Sequence, residues 1–119
     1  MFVVLMTWGI PTFGDQKRDT ADHPFSLIRR DGRIEISLRN QSIATFYFQH
    51  PQVHRSFLAH VRSPSGTLVT RSYPPDPLID PTDHADMHPG IWIGFANLNG
   101  ISFWHNSGAR VIHQRLQML

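Results

Sequence analysis

The pair Asp31-Gly32 separates two runs, Phe25–Arg30 (FSLIRR) and Arg33–Leu38 (RIEISL). In the second run Ile34, Ile36 and Leu38 alternate with Arg33, Glu35 and Ser37. Alternation places every second side chain on one face of a strand, so an apolar set can be buried while the polar set stays in water. The tight loops that match strand twist demand positive φ at their centre, which Asp and Gly tolerate, so Asp-Gly between two such runs predicts a β-hairpin.

The rest of the chain continues the pattern. Asn40-Gln41 marks a turn, and IATFYF (residues 43–48) reads as a strand buried on both faces, being β-branched and aromatic throughout. FLAHVR (57–62) alternates, SPSG (63–66) is turn chemistry, and TLVTRSY (67–73) follows as a strand. IWIGFANL (91–98) and ISFWH (101–105) flank a second hairpin pair, Asn99-Gly100. A turn at 106–108 leads to a last strand, RVIHQRL (110–116). No apolar period of 3.6 residues stands out, so no helix is expected. At 119 residues the chain holds at most one domain, large enough to bury roughly two thirds of its surface. The expected fold is an all-β antiparallel β-sandwich over residues 25–119.

Residues 74–89 break this rhythm. Pro74, Pro75, Pro77, Pro81 and Pro89 sit among Asp76, Asp80, Asp83 and Asp86. A stiff, strand-free connection of that length inside a compact domain is usually functional or disordered. It contains TDHADMHPGIW (82–92), where His84 and His88 lie beside Asp83 and Asp86. The four-residue His spacing is that of helical zinc proteases, but the prolines oppose a helix and no Glu directly follows the first His. Three readings stay open for this segment. His84 and His88 with Asp86 could hold a divalent ion such as zinc and leave positions open for water or substrate. His84 and His88 could transfer protons as catalytic groups, with Asp83 orienting one ring. Or the segment is purely structural, with Asp83 making a turn and the rings capping backbone groups. Around it, Arg71 could hold a ligand by its planar fork or pair with Asp76 or Asp80. Trp92 and Trp104 read as core aromatics, like Phe95 and Phe103, although either indole could form a platform for a sugar ring. His50 and His54 repeat the four-residue spacing, and His50 could face the same ligand. His60 alternates within its strand as a half-buried ring.

Hydrophobic residues at 40% and charged residues at 17% are globular proportions. The formal charge of +2 is carried mostly by dispersed arginines, without the basic stripe that nucleic acid requires. The absence of cysteine excludes disulfides and thiol chemistry, which leaves the eight histidines as the main chemical resource. No apolar run approaches the ~18 residues that span a bilayer. The apolar opening MFVVLMTWGIPTFG (1–14) suits either the remnant of a secretory leader or a buried first strand, and residues 15–24 a linker.

Three pieces of the chain, FYFQHPQVHRSFLAHVRSPSGTLVTRSYPP (46–75), TDHADMHPGIWIGFANLNGISFW (82–104) and ARVIHQRL (109–116), carry a resemblance. Together residues 43–116 resemble an uncharacterised bacterial family labelled "methane oxygenase PmoA". The resemblance carries over His84, His88, Trp92 and Trp104. Where many relatives have Phe-Gly-Asp this chain has Phe95-Ala96-Asn97, so no carboxylate is carried over there. The relatives are longer, which implies that this chain corresponds to the N-terminal part of a larger sandwich akin to the sugar-mutarotase supersandwich. They are often exported, by bacteria rich in polysaccharide-degrading enzymes. The resemblance therefore implies a small-molecule or carbohydrate ligand and a periplasmic or secreted location, the alternative being cytoplasmic. Its label also hints at a metal-dependent oxygenase or hydrolase. The methane oxygenase of membranes is an integral copper enzyme, an architecture for which this sequence offers no helical span.

Overall fold

The computed structural model describes residues 24–106, 108–115 and 117. The expected leader or first strand (1–14) and nearly all of the expected linker (15–24) lie outside them. Five strands form one antiparallel sheet in chain order: β1 Phe25–Arg30, β2 Arg33–Leu38, β3 Gln41–Tyr47, β4 Phe57–Ala59 and β5 Ile91–Trp92. No helix occurs among the described residues. The fold is all-β and antiparallel, and the described strands make a single layer, with no second sheet stacked on it.

The Asp31-Gly32 hairpin forms with Arg30 opposite Arg33 and full pairing back to Phe25 and Leu38. Only Gly32 adopts positive φ, at 68°, while Asp31 does not. A Cβ at Gly32 would sit 2.7 Å from the Gln49 carbonyl oxygen, so the turn is pinned to the chain leaving β3 as well as by its own strands. The second turn falls one residue earlier than expected, on Arg39 and Asn40, both left-handed at 49° and 66°. β3 therefore begins at Gln41 and takes up the extra residue as a bulge opposite Ile36 and Ser37. At its centre Ala44 and Thr45, neighbours in sequence and thus on opposite faces, are both buried, as a doubly covered strand requires.

Beyond β3 the expected strands shorten. β4 stops at Ala59 because His60 turns left-handed, at φ 53°. The 67–73 strand is reduced to a bridge between Arg62 and Leu68. The Asn99-Gly100 hairpin is present, with both residues at positive φ and Leu98 and Ile101 exchanging backbone hydrogen bonds of 2.8 and 3.1 Å. Its arms contribute only β5 and one further bond, Phe103 N–H to the Phe95 carbonyl at 2.8 Å. Residues 110–115 form no strand and lie beside residues 48–55, anchored by the Val111 N–H to the His54 carbonyl at 2.7 Å.

The tightest packing lies at β4. Val53, Phe57 and Ala59 are buried, with Tyr47, Tyr73 and Trp92 against them. Tyr47 stacks on Phe57 at 4.8 Å, and Tyr73 meets Phe57 edge-on at 4.9 Å. These separations are those at which ring quadrupoles attract. Phe95 and Trp104, expected in the core, are exposed instead, because β5 is too short to carry a second sheet over them.

Candidate functional site

The proline-rich connection is organised by one side chain. Arg71 donates from Nε to the His88 carbonyl at 2.9 Å, from one terminal nitrogen to Pro81 and Asp83 at 2.9 and 2.8 Å, and from the other to His84 at 3.0 Å. A guanidinium has five N–H donors, and four are spent on these carbonyls. Arg71 thus holds the loop's backbone, which is neither a ligand fork nor a pair with Asp76 or Asp80. Asp80 does separate work, accepting from the N–H groups of Ser72 and Asp76 at 3.1 and 2.9 Å. The Asp76 bond, then those from Ser72 and the Arg71 charge, hold its carboxyl below the usual range.

Within this frame His84 is left-handed, at φ 48°, and opens a single turn. Its carbonyl accepts from Met87 N–H at 3.0 Å and His88 N–H at 2.9 Å. This one turn reproduces the i, i+4 geometry of a helix without a helix, and it brings the His84 and His88 ring centres to 6.2 Å. A row of rings continues from there. His88 lies 6.0 Å from Trp92, and Trp92 meets Trp104 at 4.9 Å and a 64° interplanar angle. Asp83 Oδ2 lies 3.2 Å from His84 Nδ1, and both side chains are well exposed, at 71% and 63%. The hydrogen bond from His84 holds the Asp83 carboxyl below its ordinary range.

The metal set is not assembled. Among the described residues no group of three or more His, Cys, Asp or Glu is placed to hold an ion, so Asp86 does not join His84 and His88 as a ligand. Asp86 acts at a distance as a charge on Arg55 and Tyr73.

Arg55 is the residue that the sequence reading passed over. It is 5% exposed. Its guanidinium lies 3.9 Å from the centre of the Trp92 ring and donates to the Trp104 carbonyl at 3.1 Å and to the Met87 carbonyl. Burial lowers its pKa, while the Asp86 charge opposes that shift. A signal was available: counting back by twos from buried Ala59 and Phe57 arrives at position 55 on the same inward side.

His50 is half-buried and packs edge-on against Tyr47, Phe57 and Tyr73. Its Nδ1 accepts from the N–H groups of Gln52 and Val53, both at 3.2 Å, which leaves the proton on Nε2 to point at Tyr73 Oη, 3.3 Å away. Burial depresses its pKa and so favours this neutral form. His50 is therefore tied to Tyr73 and to its own loop, apart from the row that His84 begins. His60, half-buried as expected, bonds the Tyr73 carbonyl at 2.9 Å.

No helix among the described residues is long and apolar enough to cross a membrane. No curated protein and no solved structure matches the chain. A family model does match, over residues 33–118, from the start of β2 to the region beyond the last bridge. That span includes Arg55, Arg71 and the whole row of rings, and the chain belongs to this family of unknown function, DUF6807.

Proposed function

We propose that the chain binds a sugar-like, hydroxylated ligand on the face lined by His84, His88, Trp92 and Trp104, with Asp83 and His84 as its proton-transferring pair. The observation that carries this reading is the exposed row of rings ending in Trp104, 42% exposed, beside a hydrogen-bonded Asp–His pair. A sugar has an apolar C–H face and a polar rim. An indole edge in water offers a surface for the first, and the imidazoles offer donors and acceptors for the second. The Arg55 cation beneath Trp92 fixes the tilt of that indole.

The chemistry available follows from the tautomer. When His84 Nδ1–H donates to Asp83, the free lone pair is on Nε2, which can accept a proton from a ligand hydroxyl or from carbon next to a carbonyl. Asp83 fixes the ring's orientation and stabilises the imidazolium so formed. An exposed pair of this kind contributes little by itself, because water screens it, so rate acceleration depends on the ligand covering it.

Calorimetric titration with neutral sugars and keto-sugars tests the reading. Trp104→Ala should weaken binding by about tenfold, as loss of one stacking platform does. His84→Gln should leave affinity within a few-fold and lower any turnover by about a hundredfold or more. Absence of binding by any such sugar, or binding indifferent to both Trp104→Ala and His88→Ala, would remove this face as the site.

A further inference from the structure

A cavity of 270 Å³ opens on the other side of Arg55, between residues 48–55 and the 110–113 segment. Its volume lies just below the usual range for small-molecule sites. Phe48 and Val53 are among its apolar lining and His50, Arg55, Arg110 and His113 among its polar lining, and no carboxylate lines it. Two guanidinium groups and no carboxylate in the lining, with Asp86 acting on Arg55 only from a distance, give the cavity a positive potential.

The polar bookkeeping points to the same place. Among the described residues, two buried side-chain nitrogens have no hydrogen-bond partner, Arg55 Nε and His113 Nε2. Both belong to residues that line this cavity. Buried polar atoms are nearly always satisfied, and an unsatisfied one carries the full penalty of its lost hydration. Arg55 cannot swing round to satisfy its Nε, since its terminal nitrogens are tied to Trp104 and Met87 and its plane lies on Trp92. His113 is held against the Phe48 ring at 4.7 Å. Both nitrogens are thus fixed. Arg55 Nε–H requires an acceptor, and His113 Nε2 donates to the same acceptor in the tautomer that carries its proton there.

We propose that this cavity is an oxyanion site, which takes the carboxylate or phosphate of a molecule no larger than a monosaccharide. An oxyanion offers several acceptor lone pairs and the negative charge that Arg55 and Arg110 lack among their neighbours in the cavity. Phe48 and Val53 would meet the ligand's apolar part. The site does not depend on the row of rings, although Arg55 touches both, so each can fail without the other.

The test is a titration of the whole chain, followed by amide NMR, with inorganic phosphate, acetate, a hexuronate and the matching neutral hexose, at ionic strength held constant with chloride. Saturable shifts at His54, Arg55, Val111 and His113 are expected with at least one anion, and the phosphate and carboxylate arms show which head group is preferred. Arg110 is exposed, so Arg110→Gln should leave the melting temperature unchanged and weaken anion binding by about tenfold. His113→Phe, which keeps the contact with Phe48 and removes Nε2, should weaken it too. The proposal is overturned if no anion shifts these amides, if Arg110→Gln binds as the native chain does, or if the neutral hexose matches the hexuronate there. Hexose shifts confined to Trp92 and Trp104 would report on the other face.

Discussion

The two halves of this molecule satisfy their backbones by different means. From Phe25 to Tyr47 the N–H and C=O groups pair strand to strand, in three runs joined by tight turns. From His60 to Asn106 there is almost no ladder, only β5 and two isolated bridges. There, some carbonyls are paired within short turns and others find donors on side chains. Arg71 serves Pro81, Asp83, His84 and His88, and Arg55 serves Met87 and Trp104. Backbone polar groups must be paired in either half. The difference is that a ladder shares the task among many equal bonds, whereas in the loop half short turns do part of it and two guanidinium groups hold six carbonyls between them. Damage should therefore be gradual in the first half and abrupt in the second.

Arg55→Ala gives the largest contrast. Two charged hydrogen bonds and the stack under Trp92 are lost together, for about 4 kcal/mol at about 1.5–3 kcal/mol per bond to a charged group. Denaturant unfolding measures the loss. Amide exchange should show it at residues 87–92 and 104–106 before it appears in β1 and β2. Equal acceleration throughout would mean that the halves are a single cooperative unit.

Gly90→Ala attacks the joint between the halves. Gly90 has φ 151°, and a Cβ there would overlap the Leu58 carbonyl oxygen on β4. Overpacking against backbone in a conformation that suits glycine should cost about 3 kcal/mol. Loss of the β4–β5 pairing, read by exchange at Leu58, is the expected signature.

Arg71→Lys should cost about 1–2 kcal/mol, because these carbonyls are near enough to water to be partly rehydrated. An ammonium is a point charge and cannot span the Pro81, Asp83, His84 and His88 carbonyls, so lysine should rescue little relative to alanine. The His84–His88 ring approach should be lost while the aromatic cluster at β4 persists. Full rescue by lysine would reduce Arg71 to a simple charge. On the ladder side, Gly32→Ala should also cost about 1–2 kcal/mol, from a strained left-handed turn residue whose Cβ must displace the Gln49 carbonyl.

The smallest effect is a pH dependence at His50. Its pKa is lowered in the folded chain by burial, so the unfolded chain binds the proton more readily. The stability His50 contributes is complete above the unfolded value near 6.5 and declines as pH falls from there through the folded value. His50→Gln should flatten stability against pH in that window, and an unchanged slope would show that another group sets it.

The hairpin at Asp31-Gly32, the doubly covered centre of β3 and the Asn99-Gly100 turn were legible because each is decided by residues a few positions apart. The shift of the second turn onto Arg39-Asn40 was not, since Arg rarely adopts positive φ and only the register against β2 and the bulge in β3 required it. At the candidate site the sequence located the segment and named His84, His88, Trp92 and Trp104. It did not show that one turn suffices to align the imidazoles, that Asp86 stays outside them, or that His50 packs against the aromatic cluster at β4.

The sequence by itself determined an all-β antiparallel chain with its chemistry gathered in and just after a proline-rich connection. Alternation and turn preference act over a few residues and can be counted along a single strand. Only the tertiary structure decided which arginine holds which carbonyl. Those bonds join residues 10 to 49 positions apart. Their partners are main-chain oxygens, which every residue carries and no side-chain pattern marks.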